Sequence, residues 1–347
     1  MTHYVDHFPG RALDLNGTTH LYFGGTSYLG IQTDVAFQDI LIRNIRKYGT
    51  NYGASRKSNI RFSVFQLAED HLAEMAGSEA CITLSSGYLA GQAVRNYFGN
   101  RAGKLFYAPN THSALYQTKI KPYATFTALH IGVSEHLATP QRHPPVLFLD
   151  AIDFSGNNYP HFESLKSLPL RDIILVVDDS HGFGIIGTQG GGVYAMLAAL
   201  EPKELIVCAS LGKSMGVQAG ALFGSRTRIQ EISDTDFFGG ASPSAPAYMA
   251  TLIEAASIYK QRRALLQQHL SYFLNLLKDK TPFNYMEGHP AFSFSDTQRT
   301  RFLKEHHILV TSFKYPRENA ATMSRIVLSA AHTSEDIYRL AHVLNTY

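Results

Sequence analysis

The chain has 347 residues, 45% of them apolar and 17% charged, enough to bury one large core or two modest ones, which excludes a peptide, a disulfide knot and a disordered tail. Lys and Arg outnumber Asp and Glu by only 31 to 28 and the charges are scattered, so nucleic acid is not an expected partner. The two cysteines, Cys81 and Cys208, lie far apart without metal-ligand spacing and read as buried, reduced thiols of a cytoplasmic protein. The sequence begins without a basic region leading into an apolar run, and no stretch of about 18 apolar residues occurs, so neither export nor a membrane span is expected.

In chain order, Phe37, Ile40, Leu41 and Ile45 recur at helical spacing and predict a helix from about Ala36 to Tyr48, stopped by Gly49. The polar loop Gly49–Arg56 follows, then a second helix from about Ser63 to Ala76, ended by Gly77. Ala80–Leu84, Lys104–Tyr107, Pro145–Leu149, Ile173–Val177 and Glu204–Ala209 read as strands alternating with helical stretches. Strands apolar throughout and separated by helices indicate an α/β fold with a mostly parallel central sheet and helices on both faces. A long helix is predicted from about Ala247 to Leu277. The strands Ala291–Phe294, Ile308–Val310 and Arg325–Leu328, with a helix from Ser334 to Asn345, then suggest a small α+β C-terminal domain.

In a parallel α/β sheet the ligand sits beyond the carboxyl ends of the strands. One such end runs into Asp178-Asp179-Ser180-His181-Gly182, which delivers two carboxylates and an imidazole to one place. A buried carboxylate there needs a cation, although Asp179 alone also suits a helix cap or turn. A second end leads into Ser210-Leu211-Gly212-Lys213, a lysine among small and apolar residues that would depress its pKa and favour a Schiff-base amine. A third leads into Ser85-Ser86-Gly87-Tyr88 at a helix start, where free N–H groups suit a phosphate, though plain capping is the commoner reason for such a sequence. Together these point to pyridoxal phosphate chemistry. Gly182-Phe183-Gly184-Ile185-Ile186-Gly187 fits the spacing of a dinucleotide-binding turn, but it continues as Thr188-Gln189-Gly190-Gly191-Gly192 rather than a helix, so that reading fails on context. The pair His306-His307 is read as surface.

The blocks Tyr28-Leu29-Gly30, Tyr48–Arg56, Ser86-Gly87-Tyr88, Asn110-Thr111-His112-Ser113, Asp178–Gly182, Ser210–Lys213 and Ser329–Thr333 run almost end to end, and through them the sequence resembles the α-oxoamine synthase family. That family includes 8-amino-7-oxononanoate synthase, glycine C-acetyltransferase, serine palmitoyltransferase and 5-aminolevulinate synthase. The resemblance implies the fold type I of pyridoxal phosphate-dependent transferases, with an N-terminal arm and helix (1–45), a large cofactor-binding α/β domain (46–243), and a linking helix with a small C-terminal domain (244–347). It implies pyridoxal 5'-phosphate carried by Lys213, Asp178 on the pyridine nitrogen, His181 on the phenolic oxygen and His112 against the ring face. Ser86, Gly87, Tyr88 and Ser210 would hold the phosphate, and Arg325 stands where the family binds the substrate carboxylate. The implied reaction joins a small amino acid (alanine, glycine or serine) to an acyl-CoA or acyl-carrier thioester, in most members with loss of carbon dioxide, and for an 8-amino-7-oxononanoate synthase-like member it would serve biotin biosynthesis. The implied assembly is a homodimer with shared active sites, with Asn51–Arg56 and Gly239–Ser244 as candidate crossing segments. A plain aminotransferase shares Lys213 and Asp178 and would be told apart by whether acyl-CoA is consumed.

Three positions depart from the family pattern. Ser27 replaces the Asn of an Asn-Tyr-Leu-Gly block in the substrate region, and Phe65 stands where many members have His. Asp153-Phe154-Ser155-Gly156 occupies the place of a Ser-Met-Asp-Gly-like turn, which means either a shifted alignment or altered cofactor electronics.

Overall fold

In the computed structural model, which describes residues 3–99, 101–117, 120–140, 142–314 and 322–347, the chain opens on a hairpin. Strands β1 (Ala12–Leu15) and β2 (Thr18–Phe23) pair antiparallel across Asn16 and Gly17, at φ of 53° and 79°. A two-residue hairpin turn needs left-handed backbone at both positions, which Asn-Gly supplies at least cost, and Asp14 Oδ1 fastens it by accepting the Gly17 N–H at 2.8 Å.

The chain divides into two units: Asp39–Asp153 with Asn157–Ala256, and Met1–Gln38 with Phe154–Gly156 and Ser257–Tyr347. The first holds β3 (Ala80–Leu84), β4 (Leu105–Tyr107), β5 (Val146–Asp150), β6 (Ile174–Asp178), β7 (Glu204–Ser210) and β8 (Gly220–Gly224), in the order β3-β8-β7-β6-β5-β4. β4 through β7 are mutually parallel, and β8 lies antiparallel between β7 and β3. β8 has no β-branched residue and glycine at both ends, so the strand signal in its sequence is weak. Ile82, Phe148, Val176, Ile206 and Leu222 pack with Ala90, Val94 and Phe98 of the helix Gly87–Gly99. The alternate residues Leu147, Leu175, Val207 and Phe223 are equally buried, and Phe223 stacks on Phe183 at 5.0 Å. Both faces are therefore covered, as strands apolar throughout require.

The helix Val64–Ala76 buries Val64, Phe65, Ala68, Leu72 and Ala73 at helical spacing and ends at Gly77, whose φ of 76° lets its N–H return to Ala73 O. Glu69 on this helix takes a two-pronged contact from Arg56, at 2.8 and 2.9 Å, and also accepts from Thr83 N at 2.7 Å. The Arg56 guanidinium lies 4.1 Å from the centre of the Phe65 ring. The aromatic side chain that departs from the family at this position thus forms the floor of a buried ion pair. Both cysteines are free and buried.

The single helix expected over Ala247–Leu277 is two, Pro246–Glu254 and Ala256–Leu276, separated at Ala255 where ψ is 11°. No Gly or Pro marks this break. It falls where the chain passes from one unit to the other, and tertiary packing sets it.

In the second unit β9 (Asn284–Tyr285), β10 (Ala291–Phe294), β11 (Ile308–Lys314) and β12 (Thr322–Val327) complete a six-stranded sheet in the order β1-β2-β11-β12-β10-β9. The N-terminal hairpin belongs to it through parallel pairing of β2 with β11. The helix Ser334–Leu344 closes its first turn with a capping box between Thr333 and Asp336, and Asp336 also receives both prongs of Arg11 at 2.8 Å.

His332 is locked in this unit as a neutral imidazole. Its Nδ1 accepts from Ser329 N at 3.0 Å, which leaves Nε2 to donate to Tyr22 O at 3.0 Å, and the ring stacks on Phe23 at 4.0 Å. Burial is the main reason its pKa falls from 6.5 to about 4, against the opposing pull of Tyr22 O. An imidazole depressed on folding contributes stability above its unfolded pKa and loses it as pH falls through the folded value. We therefore expect about 3 kcal/mol to be lost between roughly pH 6.5 and 4 on its account. Urea unfolding across this range should show a shallower acid slope in His332→Gln, and an unchanged slope would refute the assignment.

Candidate active site

The carboxyl ends of the parallel strands finish in step. β5 ends at Asp150 and β6 at Asp178, paired in register, and Asp178 is paired in turn with Cys208 two positions before the end of β7. Each strand is buried up to its last residues, so the carboxylates emerge at the edge of an apolar layer. Asp178 Oδ1 accepts from Ser180 N at 2.9 Å, which turns the chain sharply after the strand. Beyond it stands His181, whose Nε2 lies 2.9 Å from Lys213 Nζ. While Lys213 is an ammonium it donates and His181 Nε2 accepts, which places the imidazole proton on Nδ1.

His112 reaches the same region from β4 through Asn110, at φ 61°, and Thr111, whose hydroxyl donates to Ala108 O at 2.7 Å. Its Nδ1 accepts the Ala114 N–H at 3.2 Å, so a neutral ring carries its proton on Nε2. Burial, the largest influence, lowers the His112 pKa; the Asp178 charge opposes this and Lys213 reinforces it. Lys213, His181, Asp178 and His112 are thus brought together as the sequence led us to expect.

Asp150 belongs to this group and the sequence reading did not single it out. Its Oδ1 accepts from His112 N at 3.1 Å, so it holds the backbone that carries the imidazole. Burial, then the adjacent Asp178 charge, raises its pKa well above the usual carboxylate range. The signal was available, since Asp150 ends an apolar run just as Asp178 does. Asp179, in contrast, is a structural residue. It is fully buried, its Oδ2 accepts from Val193 N at 2.9 Å, and its backbone carbonyl accepts from Gly182 and Phe183. Burial raises its pKa well above the usual range.

Ser86 lies immediately before the helix Gly87–Gly99, and its hydroxyl accepts from Leu89 N at 3.1 Å. Tyr88 is more than half exposed, so it offers the helix start its backbone N–H rather than its ring. Ser210 ends β7, and its Oγ accepts from Gly212 N at 3.3 Å. A Cβ on Gly87 would lie 2.6 Å from Ser210 Cβ, and one on Gly220 would lie 2.1 Å from Ser86 O. Glycine alone lets these three segments approach so closely, and the result is a small cradle of backbone N–H groups and hydroxyls suited to a phosphate. The Gly182–Gly187 stretch is a turn with Gly184 and Gly187 at φ 95° and 73° and leads only into a three-residue 3-10 turn, Thr188–Gly190, not into an α-helix. Among the described residues no group of three His, Cys, Asp or Glu could hold a metal.

Ser27 and Arg325 belong to the other unit. Ser27 O accepts from Ser329 Oγ at 2.9 Å. Arg325, on β12, has its guanidinium 3.7 Å from the centre of the Phe154 ring. Asp153 closes its own turn, with Oδ2 accepting from Asn157 N at 3.3 Å.

Comparison with known proteins agrees with this layout. The chain is 28% identical over 356 residues to the 8-amino-7-oxononanoate synthase of Azoarcus sp. (strain BH72), covering 96% of this chain and 90% of that protein. It is also 28% identical over 359 residues to that of Paraburkholderia phymatum, with 96% and 90% covered. Among solved structures, Sphingomonas wittichii serine palmitoyltransferase superposes with a TM-score of 0.79 at 18% identity, covering 97% of this chain and 89% of that one. The 8-amino-7-oxononanoate synthase of Francisella tularensis does so with a TM-score of 0.70 at 18% identity, covering 94% and 97%. These likenesses establish a shared fold. Residues 158–344 match the family described as aminotransferase class I and II; the match takes in Asp178, Lys213 and everything up to the last helix, more than half of the chain, and the protein is therefore a member of that family.

Proposed function

We propose that this protein is a pyridoxal phosphate-dependent acyltransferase of the α-oxoamine synthase type, which joins a small amino acid to an acyl-CoA thioester and releases the thiol and, as most of the family does, carbon dioxide. The observation that carries the reading is the 2.9 Å approach of Lys213 Nζ to His181 Nε2 beside the Asp178 carboxylate. The residues fit the cofactor: an amine at one end, a carboxylate at the strand edge, and a glycine-lined cradle of N–H and hydroxyl groups. Pyridoxal phosphate, when bound, supplies an electron-withdrawing ring that takes up the electron pair of the bond broken at the amino acid's α-carbon.

The protein's own groups do the rest. Asp178 would hold a proton on the pyridine nitrogen, with Asp150 beside it in register. His112 presents a neutral ring face, fixed through Ala114 N and Asp150. Ser86, Gly87, Tyr88 and Ser210 bind the phosphate. Lys213 would hold the cofactor's aldehyde carbon and its Nζ would take the α-proton of the amino acid, while His181 lies within hydrogen-bond reach to orient that amine. Arg325 takes the substrate carboxylate, and Ser27 stands in the same substrate region. The named relatives, 8-amino-7-oxononanoate synthases, support an acyl-CoA donor.

We also read the protein as cytoplasmic, on its two reduced buried thiols, and as a homodimer. The segments implied to cross the dimer are tied together, with Ser55 Oγ donating to Gly239 O at 2.6 Å, and Ile60 and Leu67 nearby expose 65% and 59% of their surface. Sedimentation should return the dimer mass, and a monomer at micromolar concentration would refute this.

Thiol release from acyl-CoA in the presence of alanine, glycine or serine tests the reaction. Amino transfer to a keto acid without thiol release would establish the plain aminotransferase instead. Lys213→Ala should lose at least about 10³-fold in turnover, because it removes both the attachment point and the base. Gly220→Ala should push the Ser86–Gly87 backbone outward and weaken cofactor binding by about tenfold or more, read by equilibrium titration of the apoprotein. Unchanged affinity would remove the cradle from the site.

A further inference from the structure

The turn after β5, which departs from the family pattern, carries the aromatic ring of Phe154, and this ring lies against Arg325. The Arg325 Cζ is 3.7 Å from the centre of the Phe154 ring, a face-on stacking distance for a guanidinium. Phe154 adopts left-handed backbone, at φ 57°, which is rare for a residue with a bulky side chain and persists only where its surroundings hold it. Here they do. Ser293 Oγ donates to Phe154 O at 2.7 Å, and Ser293 is the residue paired with Arg325 across β10 and β12. The same rung of the sheet therefore carries the guanidinium and fixes the backbone of the ring beneath it. The buried His289 packs its ring edge against Phe154, with centroids 6.0 Å apart, and is itself backed by Tyr28 at 5.4 Å.

We propose that Phe154 is a positioning residue for substrate binding: stacked under Arg325, it holds the guanidinium plane so that the edge N–H fork faces the carboxylate of the amino acid. Stacking occupies a face of the guanidinium and keeps its donors in the plane in which a carboxylate takes a two-pronged contact; one of them, Nη2, donates to Met323 Sδ at 2.5 Å on the same strand. The proposal rests on the assignment of Arg325 as the carboxylate-binding residue.

The test uses the holoenzyme and two readouts, the Kd for alanine, glycine and serine from the change in visible absorption on amino acid binding, and the KM for the thioester. Phe154→Leu should raise the amino acid Kd about 5- to 30-fold. Its thioester KM and its kcat at saturating amino acid should stay within about twofold. Phe154→Tyr, which keeps the ring face, should restore the amino acid Kd to within about threefold of the parent. Ser293→Ala, which keeps the ring but frees its backbone, should give a smaller rise in the same direction, and it serves if Phe154→Leu does not fold. If Arg325→Ala loses amino acid binding while Phe154→Leu and Ser293→Ala bind like the parent, Phe154 has no positioning role. If Arg325→Ala itself binds the amino acid normally, the carboxylate assignment fails and the proposal with it. An equal loss for amino acid and thioester would mark Phe154 as merely structural and overturn the proposal as well.

Discussion

The arrangement depends on carboxylates buried side by side at the ends of parallel strands. In-register pairing of β5 with β6 sets Asp150 directly beside Asp178, where the Asp178 charge adds to burial in disfavouring a charge on Asp150. Burial and the neighbouring charge raise the Asp150 pKa, while the charges of Asp178 and Lys213 act in opposite directions on His112. The hydrogen bond from His112 N to Asp150 and the approach of Lys213 to His181 gather at that edge. The strand order delivers opposing charges to one place without any segment having to be long or flexible.

Two of the three departures from the family pattern share a physical logic. Phe65 and Phe154 both lie under a guanidinium, Phe65 beneath Arg56 and Phe154 beneath Arg325. Arginine is weakly hydrated and flat, so an aromatic ring can replace water on one face while leaving the donor edge free. At Arg56 the edge is used by Glu69, which also collects the amide and hydroxyl of Thr83 at the end of β3 and so ties the loop to the sheet. At Phe65, Phe in place of the family's His exchanges a hydrogen-bonding neighbour for one that orients a cation.

Histidine plays a consistent part in both units. His112 and His332 each accept a backbone N–H on Nδ1, and each is buried enough to have its pKa lowered. A backbone donor aimed at Nδ1 selects the tautomer with the proton on Nε2 and disfavours the cation, because a second N–H would then face the first. In His332 this fastens the N-terminal hairpin to the segment before the last helix; in His112 it fixes a ring face beside the carboxylates.

Local spacing was enough to read most of the elements, the α/β class, and Lys213, Asp178 and His181, because periodicity and strand ends are properties of neighbouring residues along the chain. Even some missed features had a local trace: Asn16-Gly17 marks a hairpin turn, and Asp150 closes an apolar run. What only the tertiary structure decided involves partners distant in sequence. The glycines at both ends of β8 acquire meaning from the approach of Ser86, and the helix break at Ala255 from the passage of the chain between units. The raised pKa of Asp150 follows from its burial and its register with Asp178, and the use of Phe154 from the rung that joins Ser293 to Arg325. A carboxylate or a guanidinium is a strong local feature, but its state is set by what packs against it, and that is known only once the chain has folded.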